Sequence, residues 1–181
     1  MTSEALAQGL RRIPEYPRPG VTFIDITPIL RDRELYRNAI EAMAAEAAAL
    51  RFDLIVAPEA RGFLFGAPLA LRLGVGFAPV RKGGKLPSDT VSARYALEYG
   101  EDRVEMHRDA VRPGERVLVV DDLLATGGTV GAAIDLVEDV GGAVAGALFL
   151  VELEEIGART GRLKGYPVLS VVRTTEAGAA R

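Results

Sequence analysis

Apolar residues along this chain change their spacing repeatedly, and each change marks an element. Leu35, Ala39, Met43 and Ala47 fall on one stripe, which predicts an amphipathic helix over 35–50. Residues 53–57 (Asp-Leu-Ile-Val-Ala) are a short apolar run, the mark of a buried strand, and a second helix is expected over 63–73. Another short strand is expected over 77–80. Residues 83–103 keep no clean period and read as a long loop or loose hairpin. The run 116–120 predicts a strand buried on both faces. After it, Val130, Ala133, Ile134 and Val137 recur at helical spacing, with Asp135, Glu138 and Asp139 on the opposite face. Later strands are expected over 143–151 and 168–172. Alternation of strand and helix predicts one α/β domain, a mainly parallel central sheet flanked by helices. The first 34 residues break the alternation, carry prolines at 14, 17, 19 and 28, and read as a separate flap or hood over the sheet edge.

In parallel sheets ligands bind at the carboxyl ends of the strands. Loops 58–62 and 121–129 both follow strands, so both are expected on one edge. The second carries the candidate chemistry. Its strand ends in Asp121 and Asp122, and Ala125-Thr126-Gly127-Gly128-Thr129 then leads into a helix. Small residues and hydroxyls at a helix N-terminus let backbone N–H groups converge on a phosphate. Two carboxylates beside that cradle would repel a bare phosphate, so they call for hydroxyls or a cation. The combination asks for a sugar phosphate, with its phosphate in the loop and its ribose diol on the aspartates.

Composition narrows the field. The chain has 181 residues, 49% hydrophobic and 26% charged, a net charge of −3, one histidine and no cysteine. This excludes a disulfide framework, a thiol nucleophile and multi-histidine metal centres, and it suits a reducing cytoplasm. The mildly acidic balance argues against a nucleic-acid binder. No apolar run is long enough to span a bilayer, and the N-terminus lacks the pattern of a signal peptide. Residues 62–88 contain no acidic residue but include Arg72, Arg81, Lys82 and Lys85. A segment of that kind is offered to an anion.

Five blocks carry a resemblance: Pro19-Gly20-Val21-Thr22-Phe23-Ile24-Asp25, Glu59-Ala60-Arg61-Gly62-Phe63-Leu64-Phe65-Gly66, Arg81-Lys82-Gly83-Gly84-Lys85-Leu86-Pro87, Leu97-Glu98-Tyr99-Gly100 and 117–129. In this order the chain resembles the type I phosphoribosyltransferases over nearly its whole length. Within them, Leu-Leu-Ala-Thr-Gly-Gly-Thr and Leu-Glu-Tyr-Gly resemble the adenine branch. The resemblance implies the fold of that family and transfer of a phosphoribosyl group from phosphoribosyl diphosphate to adenine. The products would be AMP and pyrophosphate, with Mg²⁺ held mainly through substrate rather than by direct protein ligands. It also implies a homodimer.

By the same resemblance, Ala125, Thr126, Gly127, Gly128 and Thr129 hold the 5′-phosphate, and Asp121 and Asp122 the ribose hydroxyls. Glu59, Ala60, Arg61, Arg81, Lys82 and Lys85 surround pyrophosphate, with a cis peptide expected at Glu59–Ala60. Phe23 and Leu123 grip the purine, and main-chain groups of Thr22 and Ile24 read its edge. Members of the family often carry arginine where this chain has Ile24. Arg61 and Glu98 are the catalytic candidates, Glu98 on the 83–103 segment, which would act as a mobile catalytic loop. Gly83-Gly84 is expected to loosen the basic loop, and His107 to lie on the surface without a role. Glycosyl transfer from a diphosphate needs no enzyme nucleophile; it needs neutralisation of a departing polyanion and exclusion of water.

Overall fold

A computed structural model of the chain describes residues 3–97 and 100–175. In chain order these form α1 (Ser3–Gly9), β1 (Arg11–Ile13), β2 (Phe23–Asp25), α2 (Thr27–Arg31), α3 (Arg33–Ala47) and β3 (Leu54–Pro58). Then come α4 (Arg61–Leu73), β4 (Gly76–Lys82), β5 (Thr90–Leu97), β6 (Gly100–His107), β7 (Arg116–Leu124), α5 (Gly128–Asp139), β8 (Ala143–Leu153) and β9 (Val168–Thr174).

Seven strands make the main sheet in the order β5-β6-β4-β3-β7-β8-β9. β4, β3, β7, β8 and β9 run parallel, while β5 and β6 form an antiparallel hairpin attached to β4. Strand period explains the two-layered core. Ile55, Ala57, Leu118, Val120, Leu148 and Leu150 face α3 and α4; Leu54, Val56, Val117, Val119, Ala147 and Phe149 face α5. β3 leads through α4 to β4 on one side, whereas its other neighbour, β7, leads through α5 to β8. The two connections leave on opposite faces of the sheet, which makes the β3–β7 boundary a topological switch point.

Of the two alternatives for 83–103, a long loop or a loose hairpin, the structure forms the hairpin, in regular antiparallel strands that continue to residue 107. Val91, Val104 and Met106 are buried and turn inward, and the many charged residues between them conceal that period. The first 34 residues are not a separate flap. β1 and β2 do form a small antiparallel sheet of their own, but Leu6, Leu10, Ile24, Ile26 and Ile29 are buried in the same core as α3 and α4. Among the described residues no helix is long and apolar enough to cross a membrane.

Candidate active site

The switch point gathers the loops after β3 and β7. At the end of β3, Glu59–Ala60 is a cis non-proline peptide bond. This turn puts Arg61 at the first position of α4, where its Nε lies 3.2 Å from Oδ2 of Asp122. The same guanidinium stands 5.8 Å from the centre of the Phe23 ring. One side chain therefore joins three elements: the loop after β3, the end of β7 and the β1–β2 hairpin. Phe23 is half-buried and meets Tyr16 edge-on, with ring centres 5.4 Å apart. Its strand is anchored by Asp25, which accepts from Thr27 and from Arg11. The Thr27 hydroxyl first, and the Thr27 amide after it, hold the Asp25 carboxyl down to about 2.

Asp122 is buried, and its Oδ2 accepts no hydrogen bond although Arg61 is close. Its backbone N–H donates to Oδ1 of Asp121 at 2.9 Å. Burial, and then the charge of Asp122, push the Asp121 carboxyl well above the usual carboxylate range. Burial raises Asp122 too, against the pull of Arg61. Of the two carboxylates, Asp122 keeps a buried oxygen without a hydrogen bond, a group that a hydroxyl or a cation would satisfy. Gly62 makes room for them. A Cβ there would lie 3.0 Å from Asp121 Oδ1 and 3.2 Å from the Val120 carbonyl oxygen.

The 125–129 loop turns through a left-handed Gly127, at φ 79°, into a helix beginning at Gly128. Behind it stand Ala158 and Leu163, each within ordinary van der Waals contact of a Cβ at Gly127. The chain segment carrying these two residues is fastened to the sheet by Glu152. That carboxylate is buried, with 4% of its surface exposed. It accepts from Arg159 at 3.0 and 2.6 Å and from Ser170 at 2.5 Å.

The basic residues divide. Arg81 donates to Glu59 at 2.7 Å, tying β4 to the cis turn. Lys82 lies 3.6 Å from Asp102 on β6. Arg72 pairs with Glu41 on the exposed outer side of α4 and is not part of the site. Lys85 is exposed, and its carbonyl accepts from Arg81 at 3.3 Å. The glycine pair is not the loose point that the sequence suggests. Arg103 fills the space beside Gly83, and the Gly84 N–H donates to Glu105 at 2.8 Å. The Ile24 side chain is 1% exposed and belongs to the core, leaving only its main chain to face a ligand. Thr22, Leu123 and Ala125 are half-buried around this edge. His107 is not free at the surface; its Nε2 is buried without a partner. Glu98 and Tyr99 lie outside the described residues.

Sequence reasoning passed over Gly62, Tyr95, Asp102 and Glu152. Gly62 could have been flagged because it follows Arg61 at a strand-to-helix turn, where close approach demands glycine. The other three carry no motif, since their bonds depend on the pairing of β5 with β6 and on the turn after β8, which residue spacing does not fix.

The sequence model of the family described as "Phosphoribosyl transferase domain" matches residues 28–170. An adenine phosphoribosyltransferase of Caldanaerobacter subterraneus subsp. tengcongensis is 54% identical over 173 residues, covering 96% of this chain and 99% of its own. The chain belongs to the adenine phosphoribosyltransferases. The crystal structure of the family member from Thermoanaerobacter pseudethanolicus superposes with a TM-score of 0.92 at 53% identity, covering 96% of this chain and 100% of that one. The Saccharomyces cerevisiae member, solved with adenine and an imino-altritol bisphosphate, gives 0.87 at 39% identity, covering 93% and 97%. The shared fold thus extends over nearly the whole chain.

Mg²⁺ is implied by the family. The donors at hand, Asp121 and the orphaned Oδ2 of Asp122, fit a cation that brings oxygen ligands from its substrate. Among the described residues no group of three or more acidic or histidine side chains is placed to hold one alone.

Proposed function

We propose that this site transfers the phosphoribosyl group of phosphoribosyl diphosphate to adenine, releasing pyrophosphate and leaving AMP. The observation that carries this reading is Arg61, which meets Asp122 and Phe23 together. A ribose on the aspartates, a purine on Phe23 and a diphosphate beside Arg61 would then share one centre. The 5′-phosphate sits on the N–H groups of 125–129, where the N-terminus of α5 adds its positive end. Asp121 and Asp122 accept from the ribose hydroxyls. Phe23 and Leu123 flank adenine, and the main chain of Thr22 and Ile24 reads its edge.

As the anomeric carbon–oxygen bond opens, charge builds on the departing diphosphate. Arg61, Arg81, Lys82 and Lys85, with the main chain of Glu59 and Ala60, stabilise that charge. Asp121 and Asp122 would hold Mg²⁺ together with the substrate, and the ion would supply further neutralisation of the diphosphate charge. The adenine imidazole nitrogen forms the new bond to the anomeric carbon and gives up its proton, with Glu98 the nearest candidate by resemblance. The β5–β6 hairpin shields the centre from water.

Two further readings accompany this one. The family resemblance supports a homodimer. Of the three exposed large hydrophobics among the described residues, Leu64 and Leu71 both stand on α4, and Leu71 is 86% exposed. Light scattering should return twice the mass of the chain. The cysteine-free composition supports a reducing compartment, the cytoplasm.

The decisive experiment incubates the protein with Mg²⁺, phosphoribosyl diphosphate and each purine base separately, and measures nucleotide and pyrophosphate. AMP from adenine, with little product from hypoxanthine, guanine or xanthine, is expected. Binding of the diphosphate without any nucleotide would overturn the transferase reading in favour of a sensor.

A further inference from the structure

The segment between β8 and β9 lies along one face of α5, and its contacts fall at helical spacing. Ala158 and Leu163 back Gly127. Arg162 passes across Gly131, where a Cβ would meet its Cζ at 2.7 Å and its Cγ at 2.8 Å, with Nε closer still. Its Nη2 then donates to Oδ2 of Asp135 at 2.5 Å. Further along, the Tyr166 hydroxyl donates to Glu138 at 2.8 Å. Positions 131, 135 and 138 share one stripe of the helix, so part of its acidic face is covered by this segment. The segment is itself fixed to the sheet through Arg159, which donates to Glu152 and to the Val168 carbonyl.

The start of α5 needs such support. Its N-cap, Gly127, has no side chain to cap with, and the Thr126 hydroxyl accepts from the Gly128 N–H only at 3.5 Å. Gly128 and Gly131 both stand in the first turn, and glycine is a weak helix former. A helix end so built frays unless packing holds it. We propose that Arg162 is a positioning residue for the phosphate loop. Lying over Gly131 and anchored on Asp135, it holds the first turn of α5 in the geometry that seats the 5′-phosphate. This rests on the reading of 125–129 as that seat. The Gly131 N–H donates to the Gly127 carbonyl at 2.8 Å, the bond that closes the loop onto the helix. Arg162 packs against the residue that makes this bond. Backbone donors bind an anion well only when they are already oriented. Arg162 contributes order, since its guanidinium is committed to Asp135. Glycine at 131 follows, because a larger residue would displace the arginine stem.

Charge and bracing predict opposite signs at Asp135. Removing a carboxylate near a phosphate seat would tighten phosphate binding by Coulomb attraction alone, whereas releasing the brace weakens it. Asp135→Asn should bind ribose 5-phosphate about threefold more weakly than wild type, read by calorimetry. Arg162→Ala should weaken it about tenfold. Arg162→Lys should lose nearly as much, because lysine keeps the charge but has no planar head to lie over Gly131. The KM for phosphoribosyl diphosphate should rise with these losses while the KM for adenine stays unchanged, a split that general loosening of the fold would not give. Gly131→Ala should weaken binding in the wild type, where the methyl expels Arg162. In Arg162→Ala the same change should raise the thermal midpoint, since alanine is there simply the better helix former. Both changes act on one contact, so the double variant should bind no more weakly than Arg162→Ala. Unchanged binding by Arg162→Ala, full recovery by Arg162→Lys, unchanged or tighter binding by Asp135→Asn, or additive losses in the double variant overturn the proposal. A wild type that binds no ribose 5-phosphate would take down the phosphate-loop reading and this inference with it.

Discussion

Arg61 Nε stands 3.2 Å from the buried Oδ2 of Asp122, so the loop after β3 supplies the cation nearest the carboxylate that ends β7. The contact is an ion pair without a formed hydrogen bond, since that oxygen accepts none. Arg61 itself is 45% exposed at its side chain, free enough to turn toward an anion. Its charge moderates Asp122, and on the proposed function it would also face the diphosphate.

Replacing Arg61 with alanine should therefore lower kcat by about 10²–10³, the usual cost of losing one preorganised charge stabiliser. The thermal midpoint should change little, because the side chain is half exposed. Steady-state kinetics beside a melting curve check this, and an unchanged rate removes Arg61 from the site.

Asp121 is held above the usual carboxylate range by burial and then by Asp122. A carboxyl whose pKa is higher in the folded than in the unfolded chain favours folding while it is protonated. That contribution is complete below the unfolded value and is lost as pH rises through the folded one. Asp121→Asn should consequently melt higher than wild type at pH 8, with the difference shrinking toward pH 4. A gain of a few degrees is expected, as about 1 kcal/mol moves the midpoint by roughly 2–4 °C in a chain of this size. The same variant should bind phosphoribosyl diphosphate at least about tenfold more weakly, having lost a charged acceptor.

Gly62→Ala should displace the first turn of α4 from the end of β7. The added methyl would sit 3.0 Å from Asp121 Oδ1 and from Pro58 Cδ, closer than ordinary contact allows. Overpacking of this kind costs about 1–3 kcal/mol, and the geometry of Arg61 and Asp121 changes with it. Activity should fall more steeply than stability, and denaturant titration with kinetics on the same sample compares the two.

Glu152→Ala should be among the more destabilising substitutions, by about 3 kcal/mol, because it leaves Arg159 and Arg173 without their carboxylate. Burial acts to raise Glu152, but the bonds from Arg159 and then Ser170 carry it below its ordinary value. A depressed carboxylate contributes stability above its unfolded value and loses it as pH falls through the folded one. Wild type and variant should thus converge in acid, which melting curves across pH will show.

The site could be read in part from the chain because some of its geometry is local. Asp121, Asp122 and 125–129 sit on one strand, turn and helix, so their spacing alone states their relation. The regular pairing of the β5–β6 hairpin was less legible, for the opposite reason. Its inward residues, Val91, Val104 and Met106, are few among charges, and charge is what a periodicity reading discards. Glu59 and Arg81 were both assigned to pyrophosphate, yet they bind one another, a pairing that depends on β3 and β4 lying side by side. Ile24 looked like a departure at the ligand. Strand alternation turns its side chain into the core, which makes the substitution a packing matter.

The order β4-β3-β7 at the centre of the sheet turns the backbone into a ruler. Lysine and arginine at the end of β4, the cis turn after β3 and the carboxylates of β7 succeed one another at the interval of hydrogen-bonded strands, about 4.8 Å. On the proposed function, the reach along a sugar diphosphate would be measured by sheet hydrogen bonds, which side-chain substitution does not stretch. The base, by contrast, would be met by a small hairpin outside the sheet. Such a division leaves the gauge for the sugar rigid while the jaw for the base is open to revision.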